Sequence, residues 1–188
     1  MIAMAVALLG AASAAQSMVE QDPGEEVESV IHEEEPGVFL AKATLQQYLS
    51  RLVRKDWDAA KRLTHPKAMA AIADVKKNTG EETHGLAPWA RTQDQLKTFR
   101  FRGARQLGPG AVAVQVGEDT YHTREQDMST DETAVYLLFR AHGGFAVGDK
   151  MEGASLSEVS ADSVRTKYRG WVDGAALAQA RRGPSLPR

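Results

Sequence analysis

The 188-residue chain contains no cysteine. That excludes disulfides, thiolate metal sites, cysteine nucleophiles and the lipid attachment an exported lipoprotein needs just after its signal. No stretch reaches the roughly 20 consecutive apolar residues that a membrane-spanning helix requires. Neither G-x-S-x-G nor a phosphate-binding glycine loop occurs, and Gly108-Pro109-Gly110 is explained by turn geometry. His65, His84, His122 and His142 form no i, i+4 pair, and His32-Glu33-Glu34-Glu35 begins like a zinc-protease helix without its second histidine. The residues therefore call for no metal, no cofactor and no catalytic residue of a known signature. Basic residues are also missing from the front of the chain, where Lys42 is the first. What cations follow are too dispersed for the aromatic-interleaved basic stripe of a nucleic-acid binder, so no nucleic-acid partner is expected.

What is present begins with an uncharged opening. Residues 1–15 carry no ionisable side chain, and the apolar run Ile2 to Leu9 leads into Ala12-Ser13-Ala14-Ala15. This is the pattern of an export signal cut after Ala14 or Ala15. It lacks a basic n-region, so either the signal is minimal or the true start lies upstream of Met1. Gln16, Glu20, Gln21 and Asp22 interrupt it too early for an anchor. The expectation is a periplasmic or secreted protein, free of the membrane once cleaved. Residues 16–37 read as an acidic, disordered linker with eight acids. From Val38 onward 23 basic residues face 17 acidic ones, and 38–172 reads as one domain. With the signal removed, a chain of roughly 170 residues buries nearly 70% of its unfolded surface, enough for one core. Residues 173–188, with Pro184 and Pro187, read as a flexible tail.

Inside the domain the side-chain period changes once. Leu45, Leu49, Leu52 and Val53 fall on one helical stripe after the Pro36-Gly37 break. Asp56 offers an N-cap to a second helix through Trp57, Ala60 and Leu63, and Pro66 opens a third through Met69, Ile72 and Val75. A loop is expected from Glu81 to Arg91, anchored by Trp89. Beyond it the period becomes two. Phe99 and Phe101 alternate with Arg100 and Arg102, the turn at Gly108-Pro109-Gly110 leads to Val112, Val114 and Val116, and Thr133 to Arg140 reverses at Gly143-Gly144. The polar stretch Gly117 to Asp131 reads as a long loop. The fold class is thus α+β: three N-terminal helices packed on a curved four-stranded antiparallel meander, whose doubly apolar third strand calls for cover by either a partner or the C-terminal segment, with Ser160 to Val172 the candidate helix.

The segment Tyr48 to Leu63, with Asp56-Trp57-Asp58-Ala59-Ala60-Lys61-Arg62-Leu63 matching the pattern "D-W/Y/F-x-x-A-x-x-L", resembles the nuclear-transport-factor-like superfamily. The closing hairpin Tyr136 to Val147 is similar to that family's last two strands. The resemblance covers about residues 38 to 152 and implies a cone whose open end is a pocket. Members use it for isomerase, dehydratase or cyclase chemistry, for binding, or for nothing catalytic. The likeness rests on packing and turn patterns, so it speaks to fold more than to function.

Candidate binding residues are Arg100, Arg102 and Arg140, expected on the sheet face opposite Phe99, Phe101 and Phe139 and suited to an acidic ligand or the protein's own leader. Trp89, with Trp57, suits a pocket mouth, and His122 sits in the richest acid/base stretch of the chain. The expected role is an exported, non-catalytic module for an unknown small molecule or protein. The alternative is a small cone-fold enzyme with His122, Asp119 or Asp149 as base. A homodimer through a sheet face bearing Tyr136 and Leu138 is a third possibility.

Overall fold

A computed structural model describes residues 35–79, 86, 94–122, 129–141 and 143–172. The expected signal, nearly all of the acidic segment, the loop around Trp89 and the C-terminal tail lie outside the described residues.

Helix α1, Pro36–Val53, starts two residues before the expected domain boundary, because Pro36 serves as the opening residue of the helix rather than as a break before it. Its buried stripe is Val38, Ala41, Leu45, Tyr48, Leu49 and Leu52, while Val53 is half-buried. Lys55, at φ 59°, turns the chain into α2, Trp57–Leu63. The Asp56 carboxylate caps that helix by accepting from the Ala59 amide at 3.3 Å. Thr64 bridges to Val147 of the sheet, and α3, Pro66–Thr79, buries Ala68 and Ile72.

Four strands follow in the order β1-β2-β3-β4: β1 Asp94–Gly108, β2 Ala111–His122, β3 Ser129–Ala141 and β4 Gly144–Glu152, each antiparallel to the next. Gly110, at φ 78°, makes the first hairpin turn, a conformation that costs glycine little. The polar stretch expected as a loop is largely strand. Gly117 pairs with Thr133, Glu118 with Glu132, Asp119 with Asp131 and Thr120 with Thr130. Its polarity concealed a continued period of two, since Glu118 and Thr120 extend the inward row of Val112, Val114 and Val116 and are themselves buried. Register shifts at Leu96/Thr98, Phe101/Gly103, Gln106/Gly108 and Leu137/Leu138 bend and twist the strands.

Both faces of the sheet are covered. On one, α1 and its neighbours pack over Val112, Val114, Val116, Ala134, Tyr136, Leu138 and Val147. On the other, a 3-10 turn (Leu156–Glu158) and α4 (Ala161–Lys167) bring Val159, Val164 and Tyr168 onto Ala113, Val135, Leu137 and Phe139. The second apolar face of β3 is thus closed by the C-terminal segment, one of the two covers its composition allowed. The Ser160 hydroxyl caps α4, and Gly170, at φ 76°, lies just beyond its end. Trp171 then stacks on His65, with ring centroids 4.9 Å apart. The His65 Nδ1 accepts from the Lys67 amide at 3.2 Å, which leaves Nε2 to donate to the Trp171 carbonyl at 2.9 Å. Phe139 lies against both Tyr168 and Trp171. Its ring also occupies the space over Gly148, where a Cβ would sit 2.4 Å from the ring.

Candidate functional site

The helix-facing side of the sheet holds a buried polar cluster drawn from four elements. Glu118 comes from β2, Tyr136 from β3, Lys150 from β4 and Tyr48 from α1. The Tyr136 hydroxyl donates to Glu118 Oε1, and Lys150 Nζ donates to Oε2 at 2.7 Å. Lys150 also lies 5.8 Å from the centroid of the Tyr136 ring and 3.7 Å from Glu152. The Tyr48 ring meets that of Tyr136 edge-on at 6.3 Å, and its hydroxyl donates to the Leu86 carbonyl at 3.3 Å. Burial pushes both phenols well above their ordinary range, and the Glu118 charge pushes them further. Tyr136 is therefore a neutral donor. Among the described residues no buried side-chain nitrogen or oxygen lacks a partner. Each oxygen of Glu118, the one deeply buried carboxylate among the described residues, thus already holds a proton donor.

Sequence reasoning placed Glu118 in the polar stretch without seeing what it faces. Its signal was present: adding two residues at a time to Val112, Val114 and Val116 lands an acid on the core face. Tyr48, three residues after Leu45, belongs to the α1 stripe by the same logic.

On the opposite face Asp149, a candidate base, is a structural anchor. Its Oδ1 accepts from the Lys150 amide at 2.8 Å, and its Oδ2 accepts from the Tyr168 hydroxyl and from Lys167 Nζ at 3.3 Å. Burial, then the Asp149 hydrogen bond and charge, raises the Tyr168 phenol well above its ordinary range. Asp149 thereby ties α4 to β4.

The three expected arginines do not share a face. Arg100 and Arg102 converge on Asp131, Arg102 at 2.9 and 3.0 Å, with Gly117 beneath them leaving room for the guanidinium groups. Arg100, Gly117 and Asp131, together with Thr98, Phe99 and Asp119, line an open cleft of about 340 Å³. Asp119, a second candidate base, lies there 3.9 Å from Lys97. Arg140 follows Phe139 by one residue and so points to the helix-facing side, where its guanidinium stacks 5.0 Å from the Phe145 ring centroid. Phe139 faces α4 while Phe99 and Phe101 pack with the α1 side, so grouping the three phenylalanines on one face was the error. Trp57 packs half-buried against the α1 core. Trp89 lies outside the described residues. His122 ends β2, and its side chain is likewise outside the description. Tyr136 and Leu138, expected on a free face, are buried beneath the helices.

Two further concavities lie under and beside α4. One, of about 220 Å³, has Leu107, Ala111, Phe139, Val164 and Tyr168 among its walls, and Arg165 and Arg169 line it as well. A smaller one of about 90 Å³ lies between Leu137, Met151 and Val159. Among the described residues no group of three or more His, Asp or Glu side chains is placed to hold a metal ion. No helix among them is long and apolar enough to cross a membrane. Compared with models of known families, with curated proteins and with solved structures, the chain matches none.

Proposed function

We propose that the protein is an exported, non-catalytic binding module of the nuclear-transport-factor-like cone type, in which the buried acid is structural and recognition belongs to the outer surface. One observation carries this reading: Glu118, the most deeply buried acid among the described residues, has one oxygen engaged by Tyr136 and the other by Lys150. A general base must reach a substrate proton within hydrogen-bonding distance, and a carboxylate already holding two donors, at 2% side-chain exposure, is a poor one. Three helices followed by a bulged antiparallel meander accord with the cone.

The competing isomerase reading has a direct assay. Incubation with a cyclic β,γ-unsaturated ketone, followed by the ultraviolet absorbance of its conjugated isomer, is expected to show no rate above buffer. Turnover that disappears in Glu118→Gln would overturn the non-catalytic assignment. Export rests on the apolar run Ile2 to Leu9 and the small residues after it. Its mark is a secreted chain beginning at Ala15 or Gln16, read by N-terminal sequencing, and a secreted chain that keeps Met1 contradicts cleavage.

A further inference from the structure

We infer that the groove between α4 and the β1–β2 turn binds a single-chain amphiphilic anion, an alkyl carboxylate of medium length, with the chain over Phe139 and the head group at Arg165 and Arg169. The inference rests on the binding-module reading and names the ligand class.

The floor and walls are apolar. Leu107 and Pro109 come from the turn, Phe139 from β3, and Val164, Tyr168 and Val172 from the C-terminal segment. Phe139 is almost wholly buried and makes the base of the groove. The hydroxyl of Tyr168 is committed to Asp149, so the tyrosine offers the groove its ring and leaves no hydroxyl to recruit a polar ligand body.

The charge that lines the groove is of one sign. Among the described lining residues there is no acid, and there are two arginines. Arg169 is exposed and makes no hydrogen bond or ion pair with a described residue. Arg165 pairs with Asp162 at 3.2 Å, but the two side chains are 72% and 88% exposed, so water screens the pair and a ligand head group can replace it. Lys67 adds a third cation, donating to the carbonyl of Gly170, itself a lining residue, at 2.7 Å. An anionic head suits these cations and a cationic one is repelled.

Size selects the rest of the ligand. At about 220 Å³ the groove is smaller than the roughly 300–1,000 Å³ of sites that enclose drug-sized molecules, which favours one alkyl chain over a ring system. A protein partner would need roughly 800 Å² on this side. The large apolar side chains left exposed among the described residues, Phe39 and Leu40, lie on α1 and not around this groove.

The test is a fluorescence titration of the full chain with a dansyl-labelled undecanoic acid. Saturable, blue-shifted emission at one site per chain is expected, displaced by decanoate and not by decyl alcohol or decyltrimethylammonium. In the variant Arg165→Glu/Arg169→Glu, changed only at exposed positions, affinity should fall about tenfold or more. Ala161→Phe, which fills the groove from the first turn of α4, should abolish binding while the far-ultraviolet circular dichroism is kept. Absence of saturable emission, or displacement by decyl alcohol as effective as by decanoate, overturns the inference. Equal affinity in both variants overturns the groove alone and leaves the binding-module reading, which falls separately if Glu118-dependent turnover is found.

Discussion

At the scale of single residues, the Glu118–Lys150 pair shows how unequal the two halves of a buried ion pair can be. Glu118 is 2% exposed and depends on Lys150, whereas Lys150 is 13% exposed and keeps Glu152 nearby. Lys150→Met should therefore cost more stability than Glu118→Gln, with losses of about 3 kcal/mol typical when one partner of a buried pair is removed. The double variant Glu118→Gln/Lys150→Met strands no charge, and Gln can still accept from Tyr136. It should recover most of the loss in a urea-unfolding double-mutant cycle. Strictly additive losses would show that the pair is not coupled. The same reasoning explains three tyrosines among the described residues whose hydroxyls are tied to the interior: Tyr48 to a carbonyl, Tyr136 and Tyr168 to carboxylates. A buried phenol is tolerated when its donor is satisfied.

At the scale of elements, α4 is a seven-residue helix, too short to hold its shape without packing. It is held by Val164 and Tyr168 on the sheet, by the Ser160 cap and by Asp149 at its far end. In return it covers the second face of β3, so helix and strand are conditions of each other. Val164→Asp places an unpaired charge against Phe139 and Leu137 and should detach the helix, at a cost of about 3 kcal/mol or more. Trp171 reports on this, because it packs on Phe139 and Tyr168. Its fluorescence should shift to the red, and an unshifted emission would mean that α4 does not depend on Val164. Gly148 is the matching feature on the sheet side, a position without a Cβ where the Phe139 ring comes in.

At the scale of the whole molecule, the raised phenols set an alkaline limit. Tyr48 and Tyr136 bind their protons more tightly folded than unfolded. Above the ordinary tyrosine value near 10 the unfolded chain loses these protons while the folded chain keeps them, so stability falls as pH rises. The contribution is complete below about pH 10 and declines above it by up to about 1.4 kcal/mol per pH unit for each phenol. Urea midpoints measured from neutrality upward should stay level with respect to these groups and then drop, with phenolate absorbance from Tyr48 and Tyr136 appearing only on unfolding. Phenolate absorbance from these residues at ordinary alkaline pH in the still-folded protein would contradict their burial.

The element order was legible in the sequence, because period is a local property: Leu45, Leu49 and Leu52 mark α1, Asp56 and Pro66 mark helix starts, and Phe99 to Val116 alternate as a strand pair must. Cover for the second face of β3 was legible as well, since an apolar strand face has to be shielded from water. The extent of β2 and β3 was not, because polar residues at Gly117 to Asp131 look like a loop until the neighbouring strand satisfies their backbone. Facing was harder still. Whether Arg140 joins Arg100 and Arg102, and whether Tyr136 meets water or Glu118, depends on strand register and on which layer covers each side. Periodicity assigns a residue to one of two faces, and only the packed structure decides what each face meets.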